Sequence, residues 1–219
     1  MQEFNHIYFI GIGGINMSAL AEIMIDEGVS VTGSDRNPSH ITERLESLGA
    51  KIYIGHEKDH ITKDIDLVVY TSAISNDNPE LLRARELGIN IMDRAEFLGL
   101  LMKKYKHSVC VSGTHGKTTT TGMVASILIE TDMNPTIFLG GEMDSMGGNL
   151  LRGSYDIMLT EACEYKRNFL KFNPTMEIIL NIDEDHLDYY KDLADIESAF
   201  IDYAEKIPQT GHLIVNKKH

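Results

Sequence analysis

Between Ser108 and Thr121 a short apolar stretch runs directly into a glycine turn, a lysine and a row of hydroxyls: Ser108-Val-Cys-Val-Ser-Gly-Thr-His-Gly-Lys-Thr-Thr-Thr-Thr121. These residue types at this spacing suit the gripping of a polyphosphate. Gly113, Thr114, His115 and Gly116 form a turn whose backbone N–H groups can approach anionic oxygens. The Lys117 ammonium reaches the outer oxygens, and the Thr118 hydroxyl is a hard ligand for Mg²⁺. The usual pattern, G-x-x-x-x-G-K-[ST], would place its first glycine where Val111 stands, so the match is to the shorter G-x-x-G-K-T. Four threonines after Lys117 are poor helix formers with no structural reason to open a helix. That favours a nucleotide phosphate site over a bare glycine turn.

Two acidic groups follow apolar runs further along: Glu161-Ala-Cys-Glu164 and Asn181-Ile-Asp-Glu-Asp-His186. In a parallel sheet the residues past the strands' carboxyl ends gather along one edge. Lys117, Thr118, Glu161 and Asn181 to His186 are therefore expected together. Thr118 and Glu161 offer the oxygen donors that Mg²⁺ favours, and His186 offers a softer nitrogen for a second ion. Singly, Glu161 reads as a solvated acid and His186 as a helix-start residue; only their joint placement carries the metal–phosphate reading. His115 is expected to shape the loop or touch substrate rather than act as a base. Cys163 has no histidine nearby in sequence and is expected to be a buried structural thiol.

A third group lies near the amino terminus, where Gly11-Ile-Gly-Gly-Ile-Asn-Met-Ser18 follows the apolar run His6 to Ile10. A glycine turn between strand and helix lets a pyrophosphate approach the helix N-terminus, and Asp35, past the next strand, could accept a ribose hydroxyl. Against G-x-G-x-x-G, Asn16 replaces the third glycine and Gly14 is an addition. Taken alone, this pattern leaves the dinucleotide-like ligand open, an NAD(P)-dependent oxidoreductase included.

Those groups need strands and helices in alternation, and the sequence supplies them. Helical spacing at Met17, Leu20, Ala21, Met24 and Ile25 ends at Gly28, and a strand at Val29 to Thr32 follows, ending at Gly33-Ser-Asp35. Ile41 to Leu48 reads as a helix, Lys51 to Ile54 and Leu67 to Thr71 as strands. Asn78-Pro79 starts a helix that runs to Leu87 with Gly88 behind it. A strand at Ile89 to Met92 and a helix at Ala95 to Tyr105 complete a first domain, residues 1 to 106. In the second domain, residues 107 to 219, Met123, Val124, Ile127 and Leu128 mark the apolar positions of the helix after Lys117. Thr136 to Leu139, Tyr155 to Thr160, Met176 to Asn181 and His212 to Val215 read as strands, and Ile196 to Lys206 as a helix before Lys217-Lys-His219. Gly140 to Gly153 reads as a glycine-rich loop. With no hairpin signal, the fold class is α/β: a Rossmann-like parallel-sheet domain followed by a P-loop α/β domain.

Composition narrows the function. With 219 residues, 42% hydrophobic and 24% charged, the chain has sequence enough for these two domains. A formal charge of −13 argues against nucleic acid as a partner, because phosphate backbones need a basic face. No apolar run reaches membrane-spanning length, no signal-peptide pattern opens the chain, and two cysteines beside apolar runs suit reduced thiols. A soluble cytoplasmic protein without membrane insertion is expected; its oligomeric state is not readable.

Three segments taken together resemble the signatures of the Mur ligases: Gly11-Ile-Gly-Gly-Ile-Asn-Met-Ser18, Gly113-Thr-His-Gly-Lys-Thr-Thr119 and Asn181-Ile-Asp-Glu-Asp-His-Leu-Asp188. They look most like the member that joins L-alanine to UDP-N-acetylmuramate in peptidoglycan precursor synthesis. The resemblance implies ATP and Mg²⁺ as cofactors and an acyl phosphate on the muramoyl carboxylate. It implies that Gly11, Gly13, Gly14, Ile15, Asn16, Met17 and Ser18 hold the diphosphate of the sugar nucleotide, with Asp35, Ser72, Ala73 and Ile74 framing the nucleoside. It further implies Lys117, with Gly113 to Thr119, on ATP phosphates, Thr118 and Glu161 on one Mg²⁺, His186 on another, and Asn181 beside nucleotide and metals. Many members carry Glu-Ala-Asp-Glu-Ser where this chain has Glu161-Ala-Cys-Glu-Tyr165; both glutamates are kept. The family's central domain continues past residue 219 and a carboxy-terminal domain follows it. The resemblance therefore implies a fragment that binds without completing ligation.

Overall fold

The structure, a computed structural model, describes residues 4–216, so the Lys217-Lys-His219 end lies outside the described residues. Packing divides the chain into two compact units, residues 1–97 and 98–219. In the first, β1 (His6–Ile10), β2 (Ser30–Asp35), β3 (Lys51–Ile54), β4 (Leu67–Tyr70) and β5 (Asn90–Asp93) form a wholly parallel sheet in the order β3-β2-β1-β4-β5. The apolar run Ile7 to Ile10 makes β1 the central strand, fully buried, as expected where helices cover both faces. Chain direction across the sheet reverses between β1 and β4. The turns after these two strands therefore flank a crevice at the carboxyl edge, the position where open α/β sheets bind ligands.

Helices α1 (Ile15–Asp26), α2 (His40–Ser47) and α3 (Pro79–Leu87) link these strands. Local chemistry sets their ends. Ser39 and Thr42 form a reciprocal capping box on α2, the Asn78 side chain accepts the Glu80 and Leu81 N–H groups on α3, and Gly88 closes α3 in the left-handed region. β2 runs three residues longer than its apolar run, through Gly33-Ser34-Asp35. Gly33 permits this, because a Cβ there would lie 2.6 Å from the Phe9 carbonyl and 2.8 Å from Ile12 Cδ1. Gly33→Ala is expected to cost about 1–3 kcal/mol of stability through overpacking; a melting temperature unchanged from wild type would contradict this close approach.

Helix α4 (Arg94–Met102) spans the division of the units. Its second half belongs to the second unit, where Gly99 lies so close to the Lys171 carbonyl that an added Cβ would sit 2.0 Å from it. The expected division at residue 106 separates the sequence's two binding segments, whereas packing changes hands within the helix. The second unit contains β6 (His107–Ser112), α5 (Lys117–Ile129), β7 (Thr136–Met143), β8 (Gly148–Leu151), β9 (Ile157–Glu161), β10 (Met176–Ile179), α6 (Leu193–Ala204) and β11 (His212–Val215). Its sheet order is β11-β10-β6-β9-β7-β8, parallel except for β8.

Three expectations need correction here. Gly140 to Gly153 is no irregular loop: β7 continues to Met143 and pairs antiparallel with β8 across a 3₁₀ turn at Asp144–Met146. Glycine hides this strand, for Gly140 must lie flat against Glu161, whose carboxylate would meet an added Cβ at 3.0 Å. On α5, Met123 and Ile127 are 64% and 68% exposed, while Thr121 and Ala125 are fully buried; close helix–sheet approach selects small side chains over large ones. Cys163 is half-buried, not buried; the buried thiol is Cys110.

Candidate nucleotide and phosphate sites

In the first unit the glycine turn is held from both neighbouring strands. Gly11 and Ile12 N–H groups both donate to the Ser34 carbonyl, at 2.8 and 3.0 Å, and Gly13 N–H donates to Asp35 Oδ2 at 2.8 Å. Gly11 takes φ +79°, and a Cβ on it would lie 2.6 Å from Thr71 Cγ2, so only glycine fits beside β4. Gly14 caps α1 without any side-chain partner, and the first turn of the helix carries no acidic residue. No acidic side chain therefore competes with an anion for the positive end of the helix dipole. Asn16 Oδ1 is buried in this turn without a hydrogen-bond partner. Ser72 and Ala73 are exposed and Ile74 is half-buried just past β4. Asp35, read as a ribose acceptor, spends one oxygen on bracing the glycine turn.

In the second unit β6 lies between β9 and β10, so Lys117, Glu161 and Asn181 emerge from adjacent strands. The P-loop is stitched to the segment after β10. Asn181 accepts the His115 N–H at 2.9 Å and donates back to the His115 carbonyl at 3.1 Å. The Asn181 carbonyl accepts the Thr114 N–H, and Thr114 Oγ1 accepts the Asp183 N–H at 2.9 Å. Asn181 therefore acts first on the loop's shape, as does His115 through its backbone. Gly113 at φ +133° and Gly116 at φ +84° supply the turn's left-handed residues, and α5 starts with no side-chain cap.

The chemistry-bearing side chains separate into two pairs of contacts. Thr118 Oγ1 donates to Glu161 Oε2 at 3.0 Å, and Glu161 Oε1 accepts the Gly140 N–H at 2.9 Å. One hydroxyl and one carboxylate so placed fit a hard divalent ion at the helix start. The second centre is Glu164, 2% exposed, which takes the Lys117 ammonium at 2.9 Å and stands 3.4 Å from His186 Nε2. Lys117 also donates to the carbonyls of Gly113 at 2.6 Å and Thr114 at 3.2 Å, and so lies folded over its own loop.

Glu164, Asp185 and His186 each bring a ligand atom within 4.8 Å of the others, a set able to hold a second ion. His186 is not at a helix start; it takes φ +52° in a turn whose carbonyl accepts the Tyr189 and Tyr190 N–H groups. Such a conformation in a non-glycine residue is typical of functional sites. Tyr165 packs on the His186 imidazole with ring centroids 4.6 Å apart and donates to Asp188 at 2.8 Å. The sequence motif marks Glu161, and the fold makes Glu164 a site residue as well. The available signal was its place three residues on, in a kept position of the same motif.

Residues 6–106 match the Mur ligase family catalytic domain, and residues 111–219 match the Mur ligase middle domain. The UDP-N-acetylmuramate–L-alanine ligase of Clostridium kluyveri is 58% identical over 208 residues, 95% of this chain and 46% of that protein. The enzyme of the same name from Clostridium botulinum is 56% identical over 209 residues, 45% of its length. The chain thus spans about half the length of the curated relatives it matches. Among solved structures, UDP-N-acetylmuramate-alanine ligase from Thermotoga maritima superposes with a TM-score of 0.84 at 36% identity, over 97% of this chain and 49% of that one. UDP-N-acetylmuramate:L-alanyl-gamma-D-glutamyl-meso-diaminopimelate ligase from Neisseria meningitides gives 0.89 at 25% identity, over 99% and 72%.

Proposed function

This chain belongs to the Mur ligase family, and from that premise we propose that it supplies the sugar-nucleotide and ATP sites of a ligase joining L-alanine to UDP-N-acetylmuramate. The observation that carries the proposal is the P-loop itself, with Lys117 folded over it, the Thr118–Glu161 pair at its helix and Asn181 bracing it. The glycine turn of the first unit, with no acidic residue in the first turn of its helix and its brace at Asp35, fits the diphosphate of the sugar nucleotide. Family membership sets aside the NAD(P) reading of that turn.

ATP supplies the phosphoryl group that activates the muramoyl carboxylate for attack by the alanine amine. The chain's own work is positioning and charge. The N–H groups at the start of α5 would meet the phosphates, those of Thr114 and His115 being given to Asn181, and Lys117 would leave Glu164 to share its charge with the outer oxygens, where negative charge grows in the transition state. Thr118 and Glu161 would hold one Mg²⁺, and Glu164, Asp185 and His186 a second; the ions would neutralise phosphate charge. Substrates of this kind are made in the cytoplasm, where we place the protein. Among the described residues no helix is long and apolar enough to cross a membrane.

Isothermal titration tests both halves. UDP-N-acetylmuramate and Mg-ATP, titrated separately, are each expected to bind, and NADH to give no fluorescence change. Absence of binding by the sugar nucleotide at millimolar concentration would sink the assignment of the first unit.

A further inference from the structure

Behind the glycine turn lies a buried carboxylate that none of the roles above uses. Glu80, in the first turn of α3, has no exposed surface. Its Oε1 accepts from the Tyr8 hydroxyl at 2.7 Å and from His60 Nδ1 at 2.8 Å. Its Oε2 accepts from the Ser34 hydroxyl at 2.6 Å and from His56 Nδ1 at 3.0 Å. A carboxylate offers about four lone-pair sites, and here four donors fill them, as a charged group held away from water requires. The donors come from β1, β2, the segment after β3 and the 3₁₀ turn at Lys58–His60.

This arrangement has consequences for both imidazoles and for the turn. His56 Nδ1 lies 3.0 Å from both Glu80 Oε2 and Ser34 Oγ; an ionised carboxylate can only accept, so it draws Nδ1–H from each histidine, and in the neutral imidazole that leaves each Nε2 as an acceptor. His60 is stacked on Tyr53 with ring centroids 4.1 Å apart. His56 instead follows Gly55, whose N–H donates to the Asp35 carbonyl at 2.8 Å, at the same sheet edge as the glycine turn. Ser34, which gives its hydroxyl to Glu80, is the residue whose carbonyl accepts the Gly11 and Ile12 N–H groups. Glu80 thus stands one residue behind the turn and one hydrogen bond behind His56.

We propose that Glu80 is a positioning residue of the first unit's nucleotide site, holding the glycine turn through Ser34 and presenting His56 Nε2 as the acceptor for an O–H or N–H donor of the nucleoside. The inference rests on the reading of that unit as a uridine-nucleotide site. Long-range ¹H–¹⁵N spectra of the ligand-free chain at pH 8 test the first part without any variant. His56 and His60 are both expected as Nδ1–H tautomers, and an Nε2–H tautomer at either would overturn the assignment.

Titration with UDP tests the second part. Glu80→Gln offers one acceptor oxygen in place of two, so two of the four donors lose their partner. UDP affinity should fall about tenfold or more with Mg-ATP affinity unchanged, and His56→Ala should weaken UDP similarly. Tyr8→Phe, which removes a donor from the oxygen facing away from Ser34 and His56, should stay within about twofold of wild type. A folded Glu80→Gln chain with wild-type UDP affinity refutes the positioning role. Comparison of UDP with 2′-deoxy-UDP tells a ribose hydroxyl from the base as the donor. A wild-type chain that binds no UDP removes the nucleotide reading and the role of His56 with it, while the tautomers still report whether Glu80 sets the imidazoles.

Discussion

Lys117→Ala is expected to weaken Mg-ATP binding by roughly 10- to 100-fold, the worth of a charge-assisted hydrogen bond to phosphate, and to destabilise the protein at the same time. The second effect follows from Glu164. That carboxylate is 2% exposed and takes the Lys117 ammonium at 2.9 Å; without the lysine it is left buried with its charge unmatched. Breaking such a pair from one side costs about 3–5 kcal/mol. The double variant Lys117→Ala/Glu164→Gln reports on the stability effect, because it removes the stranded charge, while the phosphate lacks its cation and the second ion site has lost one carboxylate oxygen. Stability should return toward wild type and ATP affinity should not. Binding of the uridine nucleotide should be unchanged in both variants. Equal loss of both ligands would mean one shared pocket, and recovery of ATP affinity in the double variant would show that the single variant acted only through folding.

How far the sequence reveals this site depends on how local the determining physics is. α3 could be read to its ends because Asn78, Pro79 and Gly88 each act within one turn of the chain. The P-loop could be read because its glycines, lysine and threonine are contiguous. The β7–β8 hairpin could not, since Gly140 is there to make room for Glu161, twenty-one residues away. The exposed Met123 and Ile127 misled for a related reason. Helical periodicity finds the large apolar residues, while the face that packs on the sheet is chosen by what fits, here Thr121 and Ala125. Glu164 and Glu80 are the extreme cases. Each looks like an ordinary acidic residue until the fold brings Lys117 from 47 positions away, or Tyr8 from 72, onto its oxygens.

A second large effect is expected from a group that never touches a ligand. Glu177, on β10, has no exposed surface. Its Oε1 accepts the Ser112 hydroxyl at 2.7 Å and its Oε2 has no partner. Burial pushes the Glu177 carboxyl up to about 8 and the neighbouring Cys110 thiol up to about 12, because charge on either would have to be carried without water. In the unfolded chain the carboxyl releases its proton near its ordinary value of 4.5. Between about 4.5 and about 8 the folded state therefore keeps a proton that the unfolded state has lost, and stability must fall as the pH rises through that window. Over the whole window the loss is on the order of 5 kcal/mol at most, and each kcal/mol is worth roughly 2–4 °C in a chain of this size. Glu177→Gln keeps the shape of the protonated acid and removes the titration. Melting temperatures of the two proteins should agree below about pH 4.5, diverge up to about pH 8 and run parallel above it, with the glutamine variant the more stable. Curves parallel throughout would show that Glu177 is already ionised in the fold, held by a partner such as a bound water at Oε2. Ser112 directly precedes the P-loop, so the strain of ionising Glu177 falls on the strand that presents Gly113 to Lys117.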